Sequence, residues 1–212
     1  MSNSAACDDG NVMPCTDSDG ELAFIADGNG LPQLNITTPS AAGVSRNRLS
    51  QMDVDSHGAV VNNSRTNTPT QIGGWVQGNP WLAKGEARVI LMEVNSGNPS
   101  QINGFIEIAG QRSEIIVANP AGLNVNGSGF INASRATLTT GEVNLHDAGV
   151  SGYTVRGGTI TIGSQGFDAS LTDYTGILAR AVAVNGPVRA NQLNVVTGAN
   201  QIEADGPGAA PT

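Results

Sequence analysis

Lysine is almost absent: Lys84 is the only one in 212 residues, and charged residues of every kind make up 13% of the chain. An ordinary globular protein carries about 25%. The formal net charge is -8. No basic stripe exists to follow a phosphate backbone, so nucleic acid is not an expected partner and anionic lipid surfaces are disfavoured. No apolar run approaches the roughly 20 residues that a membrane-crossing helix needs. Cysteine is nearly missing too. Cys7 and Cys15 both fall in a polar stretch at the start, where a small disulfide loop and two exposed thiols are equally open readings. His57 and His146 lie far from them and no second cysteine pair exists, so zinc is not expected, nor any cofactor. Met1-Ser2-Asn3-Ser4 also lacks the charged and apolar pattern of a signal peptide, which on its own points to the cytoplasm.

What the chain does contain is glycine, 28 residues, and proline, 10, among many Asn, Gln, Ser and Thr. Glycine supplies positive φ, proline removes a donor, and the short polar side chains favour turns over helix interiors. Hydrophobic residues still reach 39%, enough for a core, and the composition reads as all-β. Residues 1–21 form a polar leader. From Leu22 onward short apolar runs appear, each closed by Gly, Asn or Pro: Gln33 to Ile36, Ala59 to Asn62, Ala87 to Val94, Gly104 to Ala109 and Glu114 to Ala118. Several alternate, as in Phe105-Ile106-Glu107-Ile108 and Thr159-Ile160-Thr161-Ile162, which suits strands with one buried face. Ile177 to Val184 reads as a strand, with a short helix as the alternative.

A loose repeat runs through the second half. Leu123-Asn124-Val125-Asn126-Gly127, Ile160-Thr161-Ile162-Gly163, Val182-Ala183-Val184-Asn185-Gly186 and Leu193 to Gly198 share an apolar-x-apolar core followed by glycine. Degenerate strand-turn repetition is the mark of a solenoid. The spacing is irregular, and on spacing alone a sandwich with strands every ~8–12 residues reads almost as well.

Three Asn-Pro pairs punctuate the middle: Asn79-Pro80, Asn98-Pro99 and Asn119-Pro120. Proline pushes the preceding residue out of the α region and Asn can cap its own turn, so each pair should end a strand. Asn98-Pro99 reads as an ordinary turn. The other two sit in stretches that resemble the secretion domain of two-partner-secretion exoproteins. Gln71 to Leu82, with Asn79-Pro80-Trp81-Leu82, is similar to that family's Asn-Pro-Asn-Leu region. Val117 to Leu123, with Asn119-Pro120-Ala121-Gly122-Leu123, is similar to its Asn-Pro-Asn-Gly-Ile motif. Gly129-Phe130-Ile131-Asn132 and Arg135 to Gly141 match the continuation, and the likeness extends over residues 22–203. The nearest subgroup is the filamentous haemagglutinins and contact-dependent growth inhibition exoproteins. Trp81 and Ala121 replace the third-position Asn of the two motifs and Leu123 replaces Ile. Val125 and Ser128 stand where growth-inhibition relatives often carry a cysteine pair.

The resemblance implies a right-handed parallel β-helix (a solenoid) with an N-terminal β cap, and no enzyme. It divides the chain into a leader (1–21), a secretion domain (22–205) and a tail (206–212) at which a longer chain is expected to continue. Within the domain, 22–64 is expected to form the cap and 65–205 the rungs with extra-helical hairpins. It further implies an outer-membrane TpsB-type transporter with POTRA domains as partner, no small-molecule substrate, and a monomeric chain found at the cell surface after periplasmic transit, its signal peptide removed ahead of Met1. Asn79, Pro80, Trp81 and Leu82 are then the candidates for transporter recognition. Asn119, Pro120, Ala121, Gly122 and Leu123 are candidates for holding a turn of the coil.

Rival chemistries find little in the sequence. A polysaccharide lyase on a β-helix needs clustered acids for calcium and a basic residue to take a proton. Asp53 and Asp55 would share a strand face, but the other acids are scattered, and Asp168 and Asp173 flank a turn. No Gly-x-Ser-x-Gly elbow occurs; Ser128, between two glycines, reads as a tight turn, and His57 and His146 as surface turns. A binding module could stack sugars on Trp75 and Trp81. Tryptophan in such a coil is more often expected to be buried or to close an open end.

Overall fold

Period-two alternation decides where each side chain goes, and the strands it builds coil into three parallel sheets. The computed structural model describes residues 25–26 and 30–204; the cysteines, the leader and residues 205–212 lie outside the described residues. One sheet stacks Val44–Leu49, Val89–Val94, Ser113–Ala118, Ala133–Thr139, Tyr174–Ala179 and Leu193–Thr197, one strand from each turn of the coil. A seven-stranded sheet carries Pro32–Asn35, Ala59–Asn63, Phe105–Gly110, Ser128–Ile131, Phe167–Ala169 and Val188–Ala190. The third stacks Ser100–Ile102, Leu123–Val125, Thr159–Ile162 and Ala181–Val184. The architecture is the expected right-handed parallel β-helix, the hand that parallel crossovers almost always take. At the N-terminal edge Ile25–Ala26 pairs antiparallel with Pro32–Asn35 and covers the first strand. Within the segment expected to form the cap, residues 32–63 already run parallel as rungs. Ile177 to Val184 is strand, split between Tyr174–Ala179 and Ala181–Val184.

Inside the coil, stacked aliphatic residues form one continuous core. Met92, Val117, Leu138 and Ile177 stack across one sheet, Leu123 and Ile160 across another, and Phe130 meets Phe167 edge-on at 6.0 Å. At the first turn the inward positions turn polar. Asn47 there is fully buried, donating to Ser45 O and Leu91 O and accepting from the Thr37 amide at 2.9 Å. A terminal rung must satisfy its own open end, and this one does so with side chains.

The irregular spacing has a simple cause. Phe130 stacks on Ile106 and Val188 on Phe167 after short steps, but Val61 stacks on Ile108 and Phe167 on Ser128 after long ones. Two excursions leave the coil in the long steps. The first holds the antiparallel hairpin Thr68–Pro69 with Trp75–Val76; the second holds Glu142–His146 with Gly149–Val155. Each folds back onto the outside of a sheet. The second is joined by Asn200–Glu203, which pairs antiparallel with Gly149–Val155. This three-stranded sheet covers a second apolar cluster of Val44, Leu91, Ile116, Leu178 and Val196 with Tyr153, Val155 and Ile202.

The first excursion is pinned by a residue that alternation alone would leave facing solvent. Glu107 points outward from its strand yet is 4% exposed. Its carboxylate accepts from the Gln71 amide at 2.8 Å and the Ile72 amide at 2.9 Å, beside a small cluster of Leu31, Val60, Val76 and Ala109. Glu107→Ala strands both amides. Its expected cost is about 2 kcal/mol, the scale of hydrogen bonds to a charged group. Limited proteolysis should show faster cutting in residues 66–78, with the rest of the coil still protected.

Two expectations are corrected. Ser128 opens the strand Ser128–Ile131 and is 1% exposed, donating to Gly104 O at 2.8 Å; the turn belongs to Gly127, at φ 72. Trp75 neither is buried nor closes an end of the coil. It stands 72% exposed on the first hairpin.

Candidate functional site

The two Asn-Pro motifs were expected to divide the work, and the structure gives them one geometry. Asn79 follows the first hairpin, where the chain returns to the coil. Its side chain is buried, with Nδ2 donating to Ile36 O at 2.9 Å and Asn62 O at 3.1 Å. Its Oδ1 accepts from the Trp81 amide at 3.0 Å, capping the short 3-10 turn Pro80–Leu82. Proline at the first position of that turn gives up an amide that would have had no partner. The backbone N–H of Asn79 donates to Ser64 O at 2.7 Å, so departure and return of the excursion meet at this residue. Asn63 closes the same base from the other side, donating to Ala87 O and Ser113 Oγ and accepting from the Ala87 amide.

Asn119 repeats the pattern at the corner between Ser113–Ala118 and Leu123–Val125. Fully buried, its Nδ2 donates to Asn98 O at 3.1 Å and Ser100 Oγ at 3.0 Å, and its Oδ1 accepts from the Ala121 amide at 2.9 Å. Its backbone N–H donates to Thr139 O at 3.0 Å, so one residue ties together the turns before and after its own. Asn98, exposed, contributes only its carbonyl.

This geometry accounts for the departures at the third motif position. What each motif uses there is a backbone amide, Trp81 N–H or Ala121 N–H, and any residue but proline supplies one. Leu82 and Leu123 by contrast are fully buried in the coil, where an apolar side chain is required. Pro80 and Pro120 are exposed and Trp81 is half-buried, its carbonyl accepting from Thr38 Oγ1 at 2.8 Å. In the folded domain, the parts of the first motif that a partner can touch are therefore Pro80 and one side of Trp81.

Gly122 is the glycine the second motif cannot exchange. Its φ is +126, and an added Cβ would stand 2.8 Å from Thr159 O of the next turn. Gly122→Ala is expected to cost about 1–3 kcal/mol from backbone strain, before any clash is counted. A urea melt followed by far-UV circular dichroism checks this, with Gly97→Ala, where nothing lies within 4 Å, as the near-neutral control.

The acids and histidines are occupied elsewhere. Asp53 Oδ1 accepts from the Gln51 side chain and the Gln101 amide, both at 2.8 Å. Asp55 accepts from the His57 amide, which holds its carboxyl below the usual carboxylate range. Asp168 is held low by Ser170 and Asp173 by Arg112. His57 in a turn and His146, which ends the strand Glu142–His146 where a turn was expected, have side chains about four-fifths exposed. Among the described residues no three His, Cys, Asp or Glu gather as a metal site would require.

Comparison with known proteins follows the same line. The family model described as the TPS secretion domain matches residues 16–211. "Toxin CdiA" of Yersinia pestis is 49% identical over 207 residues, which cover 91% of this chain and 6% of that protein. "tRNA nuclease CdiA-2" of Burkholderia pseudomallei is 47% identical over 177 residues, 82% of this chain and again 6% of the relative. The chain thus spans a small fraction of the length of the relatives it matches. The crystal structure of a filamentous hemagglutinin secretion domain superposes with a TM-score of 0.82 at 36% identity, covering 89% of this chain and 65% of that one.

Proposed function

The chain belongs to the TPS secretion domain family, and from that premise we propose that residues 22–205 carry a large bacterial exoprotein across the outer membrane. A TpsB-type transporter meets the domain in the periplasm through its POTRA domains, passes it outward, and releases it to fold as the first turns of a β-helix. The exoprotein itself is an adhesin, a haemagglutinin or a contact-dependent growth inhibition toxin. The domain is a secretion element and not a catalyst. Relatives that share this segment include proteins named tRNA nucleases and one named a 16S rRNA endonuclease. Such different activities belong to the parts of those proteins that the chain does not cover.

The observation that carries the reading is the terminal turn. Among the described residues, Ala181–Val184, Val188–Ala190 and Leu193–Thr197 pair on one side only, and Val184, Leu193 and Val195 are about half exposed. A parallel edge with exposed apolar residues in register with the core is a template for another turn. Each added turn buries its face on the last. With no ATP in the periplasm, burial gained outside the cell biases movement outward.

Recognition by the first motif fits the extended chain better than the folded one. Asn79 and Leu82 are buried once the coil forms, whereas all four residues of Asn79–Leu82 are open before it does. The experiment is an export assay: the chain is fused to a signal peptide and expressed with and without its transporter, and release to the medium is measured. Release that depends on the transporter is expected. Retention of a folded product in the periplasm with the transporter present would discard the secretion role. The driving-force account fails separately if a variant that cannot form the coil is exported at an undiminished rate.

A further inference from the structure

The outer face of the six-stranded sheet is not covered evenly. Leu91, Ile116 and Leu178 meet the three-stranded antiparallel sheet directly, but beside them a cleft of about 480 Å3 opens between the two sheets. That is the size of a small-molecule site, about 300–1,000 Å3. Its floor is a row across neighbouring strands. Val44 lies beside Val89, Val89 beside Glu114, and Arg135 beside Tyr174.

Between Glu114 and Arg135 the register slips. Ser113 pairs with Ala133 but Ile115 with Ala136, so Ser134 and Arg135 together face Glu114 alone. A bulge of this kind bends its strand and re-aims a side chain, and bulges gather beside functional sites. Here the Arg135 guanidinium lies over the Tyr174 ring, 4.8 Å from its centroid. From the opposing sheet Tyr153 closes the cleft, 5% exposed, and burial pushes its hydroxyl well above the usual phenol range. Burial likewise raises the Glu114 carboxyl, with Arg135 pulling the other way.

The charge balance of the lining runs against that of the chain. The lining holds two guanidinium groups, Arg88 and Arg135, and one carboxyl, Glu114, in a protein of net charge -8. Beside them stand short polar side chains, Ser134, Thr137 and Asn194, and Tyr174 backs the Arg135 guanidinium. A guanidinium fork matches a carboxylate, and hydroxyl and amide groups match the hydroxyls of a sugar.

We propose that the cleft between the six-stranded sheet and its antiparallel cover binds a sugar acid, the carboxylate on Arg135 and the hydroxyls on Ser134, Thr137 and Asn194. This site is separate from the Asn-Pro motifs and does not depend on the export reading. The test is calorimetric titration of the whole chain with glucuronate and with N-acetylneuraminate, against glucose and benzoate. At least one of the two acids should bind at least tenfold more tightly than glucose, which lacks the carboxylate, and than benzoate, which lacks the hydroxyls. Arg135→Gln should weaken it at least tenfold, while Arg180→Gln, outside the cleft, leaves it unchanged. Glu114→Gln removes the one like charge and should hold or strengthen binding, a result that mere loosening of the fold would not give. The proposal is overturned if neither acid binds, if glucose or benzoate binds as well, or if Arg135→Gln, shown folded by its melting curve, binds like the parent.

Discussion

Asn119→Ala is expected to lower the unfolding free energy by about 3 kcal/mol, with Asn79→Ala close behind. Each substitution removes one side chain that is bonded at both ends in a dry site. At position 119 it leaves Asn98 O, Ser100 Oγ and the Ala121 amide without their partner. Stranding a buried polar group costs about 1–3 kcal/mol, and the backbone on either side cannot shift to recover the bonds because it belongs to neighbouring turns. Asn119→Asp is the sharper variant. It keeps the volume and the acceptor but turns the donor into a second acceptor aimed at the Asn98 carbonyl, so it should be at least as damaging. Urea melts followed by far-UV circular dichroism measure all three. A melting midpoint within error of the parent for Asn119→Asp would refute the assignment. In the export assay, loss at either Asn is expected to track loss of fold. Recognition is better separated at Pro80 and Trp81, whose exposed surfaces the coil does not need.

The second large effect lies at Ile202. This side chain is 2% exposed and is the contribution of Asn200–Glu203 to the outer apolar cluster. Ile202→Asp is expected to cost about 4 kcal/mol: about 2–5 for the lost apolar contacts, with a further penalty for a carboxylate set against Leu178 and Val196. The coil core is untouched by the change. Far-UV circular dichroism should therefore keep its β-signal, while an apolar dye binds the uncovered Leu91, Ile116 and Val196 and protease reaches residues 142–155. If the dye stays dark and the hairpin stays protected, the antiparallel sheet is held by its own hydrogen bonds and not by this cluster.

Much of this was legible in the residues. The apolar-x-apolar units closed by glycine at Leu123, Ile160, Val182 and Leu193 are consecutive rungs of two sheets, and Asn119-Pro120 does end a strand, whereas Asn79-Pro80 opens a 3-10 turn and Asn98-Pro99 leads into Ser100–Ile102. The rest was hidden because it depends on contacts made outside the coil. Glu107 sits at an outward position, where alternation predicts solvent, and only the returning hairpin buries it. The unbroken apolar runs Val89 to Met92 and Ile115 to Val117 carried a usable signal: a strand apolar on both faces is covered on both. Read that way, they place a cover on this sheet, though not which segment supplies it. The irregular spacing left a sandwich open, and two excursions from an otherwise regular coil account for it. Trp75 and Ser128 show the limit of residue-type preference. Each sits where its neighbours in space, and not its chemistry, determine exposure.

Asn200–Glu203 leaves the last turn and runs back to grip Gly149–Val155, which belongs to an earlier one. Tension applied at Ala204 would therefore not reach the final rung first. It would load the antiparallel seam of Gly152, Tyr153, Thr154 and Val155, and the coil beneath would begin to peel only after that seam had torn.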